Sequence, residues 1–226
     1  MQKDGKWGLI NAKNEFILKP TYDHINYEKD GFFVVKKNDQ YGFIDRTGNL
    51  VIDLQFEYAH DFKNGFAGVK RNGKYGVIDK MGHIVIEPQF ESVREFEDGI
   101  AAVMIDKKWG LIDSAGRYIV RPQFENASFH YGAGTIQKNG KWGIVDKAGK
   151  ILIEPQYLMI IEYPNFAHPY APNVFEVTKF QHKGYADTSG NVFVMTDKVC
   201  GQRVVKNGKG EITWPKNIKE LCGKSN

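Results

Sequence analysis

Hydrophobic and polar positions alternate along this chain in short runs, and the runs return on a fixed period. Across residues 90–123 they read Phe90-Glu-Ser-Val-Arg-Glu-Phe96, Gly99-Ile-Ala-Ala-Val103, Lys108-Trp-Gly-Leu-Ile-Asp113 and Arg117-Tyr-Ile-Val120, followed by Pro122-Gln123. Each run is rich in β-branched and aromatic residues and is bounded by Gly, Asn, Asp or Pro, which is the pattern of strand, turn, strand. The pairs Trp7-Gly8, Tyr41-Gly42, Tyr75-Gly76, Trp109-Gly110 and Trp142-Gly143 lie 34, 34, 34 and 33 residues apart. A unit of that size cannot bury its apolar face alone, so successive units must pack on one another.

Turn chemistry sharpens the unit. Asp4-Gly5, Asn38-Asp39, Asn72-Gly73, Asp106-Lys107 and Asn139-Gly140 precede each aromatic-Gly strand, and the Asn-Gly and Asp-Gly versions suit two-residue hairpins that demand positive φ. After that strand come Asp45-Arg-Thr-Gly48, Asp79-Lys-Met-Gly82, Asp113-Ser-Ala-Gly116 and Asp146-Lys-Ala-Gly149. There Asp bonds its own turn backbone and Gly takes a left-handed conformation. Asn14 replaces that Gly in the first unit, as the next best residue for the position.

Glycine inside a strand weakens pairing unless something must approach closely, and a neighbouring repeat is the expected occupant beside Gly8 and its equivalents. Trp7, Tyr41, Tyr75, Trp109 and Trp142 then form an inter-repeat ladder over Val35, Val69, Val103, Ile136 and Val177. A second apolar series, Tyr22, Phe56, Phe90, Phe124 and Tyr157, follows Pro20-Thr21, Leu54-Gln55, Pro88-Gln89, Pro122-Gln123 and Pro155-Gln156. Proline at that point is expected to stop the last strand.

Gly-Lys-Trp-Gly-hydrophobic-Ile-Asp, a turn Gly, Val-Ile-x-Pro-Gln-Phe and a later Phe-x-x-Gly-x-Ala-x-Val together resemble the bacterial WG-repeat (KWG) family. The resemblance is close over residues 1–157 and degraded beyond. It implies a propeller-like β-repeat module without a common catalytic activity, and no functional residues to carry over. His182-Lys183-Gly184 continues the motif with Lys183 at the aromatic position, 41 residues beyond Trp142, so an insertion falls in 158–172.

The expected fold is all-β: a single domain over 1–226, a propeller-like ring of about six small antiparallel β-meander blades, with units starting near 7, 41, 75, 109, 142 and 183. The divergent segment 191–226 closes or caps it. Gln202-Arg-Val-Val-Lys-Asn-Gly208 restores the strand pattern missing before Trp7, as strand exchange between the termini would require, and closure removes exposed sheet edges. The alternative is an open twisted β-solenoid, since about 34 residues is short for a four-stranded blade.

With 226 residues, 42% hydrophobic and 13% aromatic, the chain can bury a sizeable core. Its net charge of +4 is spread through the repeats, which disfavours nucleic acid as a partner. No apolar stretch reaches membrane-spanning length, and the chain opens directly into a repeat; an exported form is expected to have a leader outside this sequence. Cys200 and Cys222 match no zinc or redox spacing, and a disulfide between them stays open.

Candidate chemistry is sparse. The Asp45, Asp79, Asp113, Asp146 and Asp187 series suits turn capping better than Ca²⁺, which needs several convergent oxygens. Glu57, Glu91 and Glu125 recur after the Phe series, but catalysis needs unlike environments that push pKa values apart, and a repeat supplies similar ones. His24, His60, His83, His130, His168 and His182 match no metal spacing. Lys6, Lys74, Lys108 and Lys141, with Gln40 in the second unit, form a basic series suited to an anionic partner. Tyr163, His168 and Tyr170 lie in the Pro-bearing insertion, a recognition loop on a rigid scaffold. The leading expectation is a monomeric, cofactor-free, non-catalytic module binding a protein, peptide or glycan. The alternative is a hydrolase or lyase with its site in a central channel.

Overall fold

Four strands fit into 34 residues in the second, third and fourth sheets because the first strand of each has only two residues. The computed structural model describes residues 1–130, 132–162, 174–179, 182–187, 192–199, 202–207 and 212–214. The first sheet joins β1 (Gln2–Lys3), β2 (Lys6–Ile10) and β3 (Phe16–Tyr22). The second joins β4 (His24–Ile25), β5 (Phe32–Lys37), β6 (Gln40–Asp45) and β7 (Leu50–Phe56). The third holds β8 (Tyr58–Ala59), β9 (Phe66–Arg71), β10 (Lys74–Asp79) and β11 (Ile84–Phe90). In the fourth are β12 (Ser92–Val93), β13 (Ile100–Ile105), β14 (Lys108–Asp113) and β15 (Tyr118–Phe124), and in the fifth β16 (Asn126–His130), β17 (Ala133–Lys138), β18 (Lys141–Val145) and β19 (Ile151–Tyr157).

The sixth sheet runs β20 (Met159–Glu162), β21 (Val174–Lys179), β22 (His182–Asp187), β23 (Val192–Val199), β24 (Gln202–Asn207) and β25 (Ile212–Trp214). Its register places Val177 opposite Gly184 and Thr178 opposite Lys183, as Val35 faces Gly42 and Lys36 faces Tyr41 in the second sheet. The degraded motif is therefore a true repeat. The strand exchange expected of Gln202–Gly208 does not occur: β24 pairs with β23 and β25 inside the sixth sheet. The first sheet keeps only the two-residue β1 ahead of β2. Among the described residues no sheet closes on itself and no helix is long and apolar enough to cross a membrane.

The chain divides into two compact units, residues 1–123 and 124–226. In the first unit, each core forms between consecutive sheets. Tyr22 of the first sheet packs with Val35 and Ile44 of the second. Val34, Phe43 and Ile52 of the second pack with Ala59, Phe62 and Val69 of the third, and Val77 and Ile86 of the third with Val103 and Ile112 of the fourth. Within the second unit, Ile144 and Ile153 meet Val177 and Ala186. The Val35, Val69, Val103, Ile136 and Val177 series and the Tyr22, Phe56, Phe90, Phe124 and Tyr157 series are buried, whereas the ladder rings Trp7, Tyr41, Tyr75, Trp109 and Trp142 are only partly so.

Two local expectations need correcting. The glycine after each aromatic does not face a neighbouring repeat. A Cβ on Gly76 would lie 2.5 Å from the Ile86 carbonyl oxygen and 2.8 Å from the Pro88 nitrogen, both on the adjoining strand of its own sheet. That strand crowds inward because it carries extra residues: Tyr75 pairs with Phe90 but Val77 with Ile86, a β-bulge centred on the glycine. Proline sits inside this bulge, where the missing N–H costs no ladder bond, and β3, β11, β15 and β19 run through it to the aromatic residue rather than stopping. The glycine that does meet a neighbouring repeat is the turn glycine. A Cβ on Gly82 would stand 3.2 Å from Cγ1 of Ile52, and one on Gly116 3.3 Å from Cδ1 of Ile86, each on the preceding sheet.

A candidate binding surface at the hairpin edge

Strand direction brings three features to one end of the sheets in the first unit: the two-residue hairpins, the aromatic-Gly pairs, and the residues that open each following sheet. The hairpins take the mirror-image turn that right-handed strand twist favours. Both central residues have positive φ, 52° and 75° at Asn72-Gly73 and 49° and 58° at Asp106-Lys107. Basic residues flank them, with Lys3 opposite Lys6, Lys37 opposite Gln40 and Arg71 opposite Lys74. The cation series is thus broader than the lysines before the aromatics.

The recurring carboxylates belong to these hairpins. Glu91 accepts from the Asp106 and Lys107 N–H groups at 3.2 and 3.1 Å, and Glu57 accepts from Gly73 N–H with both oxygens at 3.2 and 3.1 Å. In the second unit Glu125 accepts from Asn139 and Gly140, each at 2.9 Å. Asp23 does the same for Asn38 N–H at 2.8 Å and also holds the Lys6 ammonium. Its carboxyl lies below the ordinary range, first because of the Lys6 hydrogen bond and then because of the Asn38 N–H. Repetition here reflects a repeated structural job.

Between these tips lies a row of half-buried rings. Trp7 meets His24 with ring centroids 6.3 Å apart, and Arg94 lies 4.3 Å over Trp109. Only the interval between the second and third sheets is aromatic at all four positions. There Tyr41 packs on Tyr58 at 5.2 Å, Tyr58 on His60 at 5.1 Å and on Tyr75 at 6.3 Å, and His60 stacks on Tyr75 at 5.6 Å. Lys36 stands 5.6 Å over Tyr41 and Lys70 5.7 Å over Tyr75. Repeat-equivalent to Tyr58 and His60 are His24 and Asn26, Ser92 and Arg94, and Asn126 and Ser128. The scaffold therefore does not demand aromatics there, and Tyr58 remains 39% exposed.

Burial depresses the His60 imidazole pKa, against the opposing pull of Glu95 and Asp61, so the ring is neutral near pH 7. Burial likewise raises the Tyr75 phenol, with smaller contributions from Tyr58 and Tyr41. The cluster is an uncharged aromatic patch with Lys36, itself paired with Asp39, and Lys70 over its outer rings. It suits binding through ring contact and charge complementarity.

The residues singled out from the sequence fare differently. Lys74 is exposed beside Tyr75 at the rim of the cluster, Lys108 is exposed at its own tip, and Lys6 and Lys141 are partly covered. Lys6 is drawn to Asp23. Tyr163, His168 and Tyr170, and Cys200 and Cys222, lie outside the described residues. The strands flanking the insertion are described, and Glu162 pairs with Phe175. The Asp series caps its turns: Asp79 accepts from Met81 and His83 N–H at 2.9 Å each, and Asp113 from Ala115 and Arg117 N–H at 2.9 Å each. His83 Nδ1 lies 3.2 Å from Asp79 Oδ2. Among the described residues no group of three His, Cys, Asp or Glu side chains gathers as a metal site. Sequence reasoning missed Tyr58 altogether and took His60 as scattered. The alternation Tyr58-Ala59-His60, on the strand that opens the sheet after Tyr41, was the available signal.

A sequence profile described as "WG containing repeat" matches residues 7–41, 41–75, 75–109, 109–142 and 142–157. No curated protein sequence matches the chain. Among solved structures, the chain is similar to a eukaryotic initiation factor at 11% identity, covering 91% of this chain and 69% of that one, with a TM-score of 0.51. It also overlaps the WD40 β-propeller domain of Doa1 at 11% identity, covering 75% and 73%, TM-score 0.36. A third overlap is with apo AztD from Citrobacter koseri at 12% identity, covering 87% and 72%, TM-score 0.39.

Proposed function

The chain belongs to the WG containing repeat family, and from that premise we propose that it is a non-catalytic binding module whose hairpin edge holds an extended acidic segment of a partner protein. The observation that carries this reading is the cluster of Tyr41, Tyr58, His60 and Tyr75. The recurring acidic and glycine residues are occupied by turns, whereas Tyr58 and His60, which complete this cluster between the recurring Tyr41 and Tyr75, stand where the repeats diverge.

The choice of a peptide over a glycan rests on ring geometry. Tyr58 meets Tyr41, His60 and Tyr75 at 50°, 77° and 71°, while His60 and Tyr75 stack at 28°. The exposed Tyr58 ring is thus set among inclined neighbours, a faceted surface suited to side chains rather than a flat platform for a sugar face. Lys36, Lys70, Arg71 and Lys74 around it favour acidic residues in the partner and speed its approach. Exposed tyrosine framed by half-buried neighbours is the composition of an interface anchor.

The test is titration with a random glutamate–tyrosine copolymer by fluorescence anisotropy, with polygalacturonate as the glycan arm. Saturable binding of the copolymer is expected, weakened about tenfold, or ~1.4 kcal/mol, in Tyr58→Ala. It should also fall steeply with added salt. Unchanged affinity in Tyr58→Ala removes the cluster from the site, and saturation by polygalacturonate alone overturns the peptide assignment.

A further inference from the structure

The first sheet carries a cleft of about 330 Å³ lined by Lys3, Asp4, Lys6, Phe16, Lys19 and Pro20. Its lining carries three ammonium groups, of Lys3, Lys6 and Lys19, and one carboxylate, of Asp4, and Phe16 is 49% exposed. The repeat supplies an internal control on this composition. Lys19 becomes Asp53, Glu87, Arg121 and Glu154 in the sheets that follow, Lys6 becomes Gln40 in the second, and Lys3 becomes Ile105 in the fourth. No later sheet through the fifth places cations at all three positions, so the scaffold does not require the arrangement.

Lys6 is partnered by Asp23, which leaves Lys3 and Lys19 to bring most of the positive charge. Phe16 and Pro20 supply apolar surface beside it. The volume is at the small end of ligand cavities, which run from about 300 Å³ upward. From these observations we infer that the cleft binds a small organic anion, its phosphate or carboxylate head among Lys3, Lys6 and Lys19 and its apolar body against Phe16 and Pro20. Charge alone would favour any anion, whereas the aromatic surface selects one with a hydrophobic portion. The site shares no residue with the Tyr58 cluster and does not depend on the function proposed for it.

Isothermal titration of the whole chain with phenyl phosphate tests the inference, with inorganic phosphate and phenol as separate arms. Phenyl phosphate is expected to saturate at one site and to bind about tenfold more tightly than inorganic phosphate, while phenol does not saturate. Lys19→Glu should weaken phenyl phosphate by at least about tenfold, and Phe16→Ala should abolish the preference over inorganic phosphate. Both positions are exposed, so folding survives the changes. Lys13→Glu, an exposed turn lysine outside the cleft, should leave affinity unchanged. The proposal is overturned by absence of saturation with phenyl phosphate, by equal affinity for inorganic phosphate, or by equal losses in Lys13→Glu and Lys19→Glu.

Discussion

At the scale of single residues, backbone conformation and close approach decide most outcomes. Lys107 occupies the second hairpin position with φ of 58°, where the first, third and fifth sheets use Gly5, Gly73 and Gly140. A left-handed conformation costs a non-glycine residue about 1–2 kcal/mol, so Lys107→Gly should raise stability by about 1 kcal/mol, read as a higher denaturant midpoint. Gly76→Ala should act oppositely, since its Cβ would stand 2.5 Å from a backbone oxygen that cannot swing away; a loss of about 3 kcal/mol is expected. His60 adds a pH dependence. Because its folded-state pKa is depressed by burial, the unfolded chain takes up the proton first. Its contribution is complete above the unfolded value of about 6.5 and is lost as pH falls through the window below it. Thermal melts at about pH 7.5 and 5.5 should show a drop that is smaller in His60→Phe.

Elements were legible in the sequence wherever their chemistry is local. The Asn-Gly and Asp-Gly hairpins, the Asp-x-x-Gly turns and the strand runs all lie where residue types alone placed them. The close neighbour of Gly76 was not legible, because a bulge depends on how many residues the opposite strand commits, and composition carries no count of that. The roles of Glu57, Glu91 and Glu125 were hidden for a related reason: each bonds a turn about 15 residues away in the chain. The Tyr58 cluster joins rings from two sheets, and proximity across sheets leaves no spacing to read. The insertion gives a prediction at this scale. β20 and β21 pair at Glu162 and Phe175, and by register Glu162 and Val174 correspond to Asp61 and Phe66, which the third sheet joins with Phe62-Lys63-Asn64-Gly65. Replacing 163–173 by that four-residue segment should preserve cooperative unfolding and copolymer affinity; loss of binding would return the site to Tyr163, His168 and Tyr170.

For the molecule as a whole, cohesion comes from cores shared by consecutive sheets, so coupling is between nearest neighbours. Phe62 is 2% exposed and packs with Phe43 of the second sheet and Val69 of the third. Phe62→Ala should cost about 3–5 kcal/mol, and hydrogen exchange should accelerate in the second and third sheets more than in the fifth. The same arrangement lets the edge vary from sheet to sheet without disturbing the cores, which is how one scaffold carries an aromatic cluster in one interval and a cationic cleft on another sheet. The claim that this variable edge is the working surface is tested most directly by mapping amide chemical shifts of the labelled chain during titration with a short glutamate–tyrosine peptide. Shifts concentrated at Lys36, Tyr41, Tyr58, His60, Lys70 and Tyr75 are the expected result. Shifts confined to the opposite turns, at 45–48 and 79–82, or no shift at saturating peptide, would contradict it.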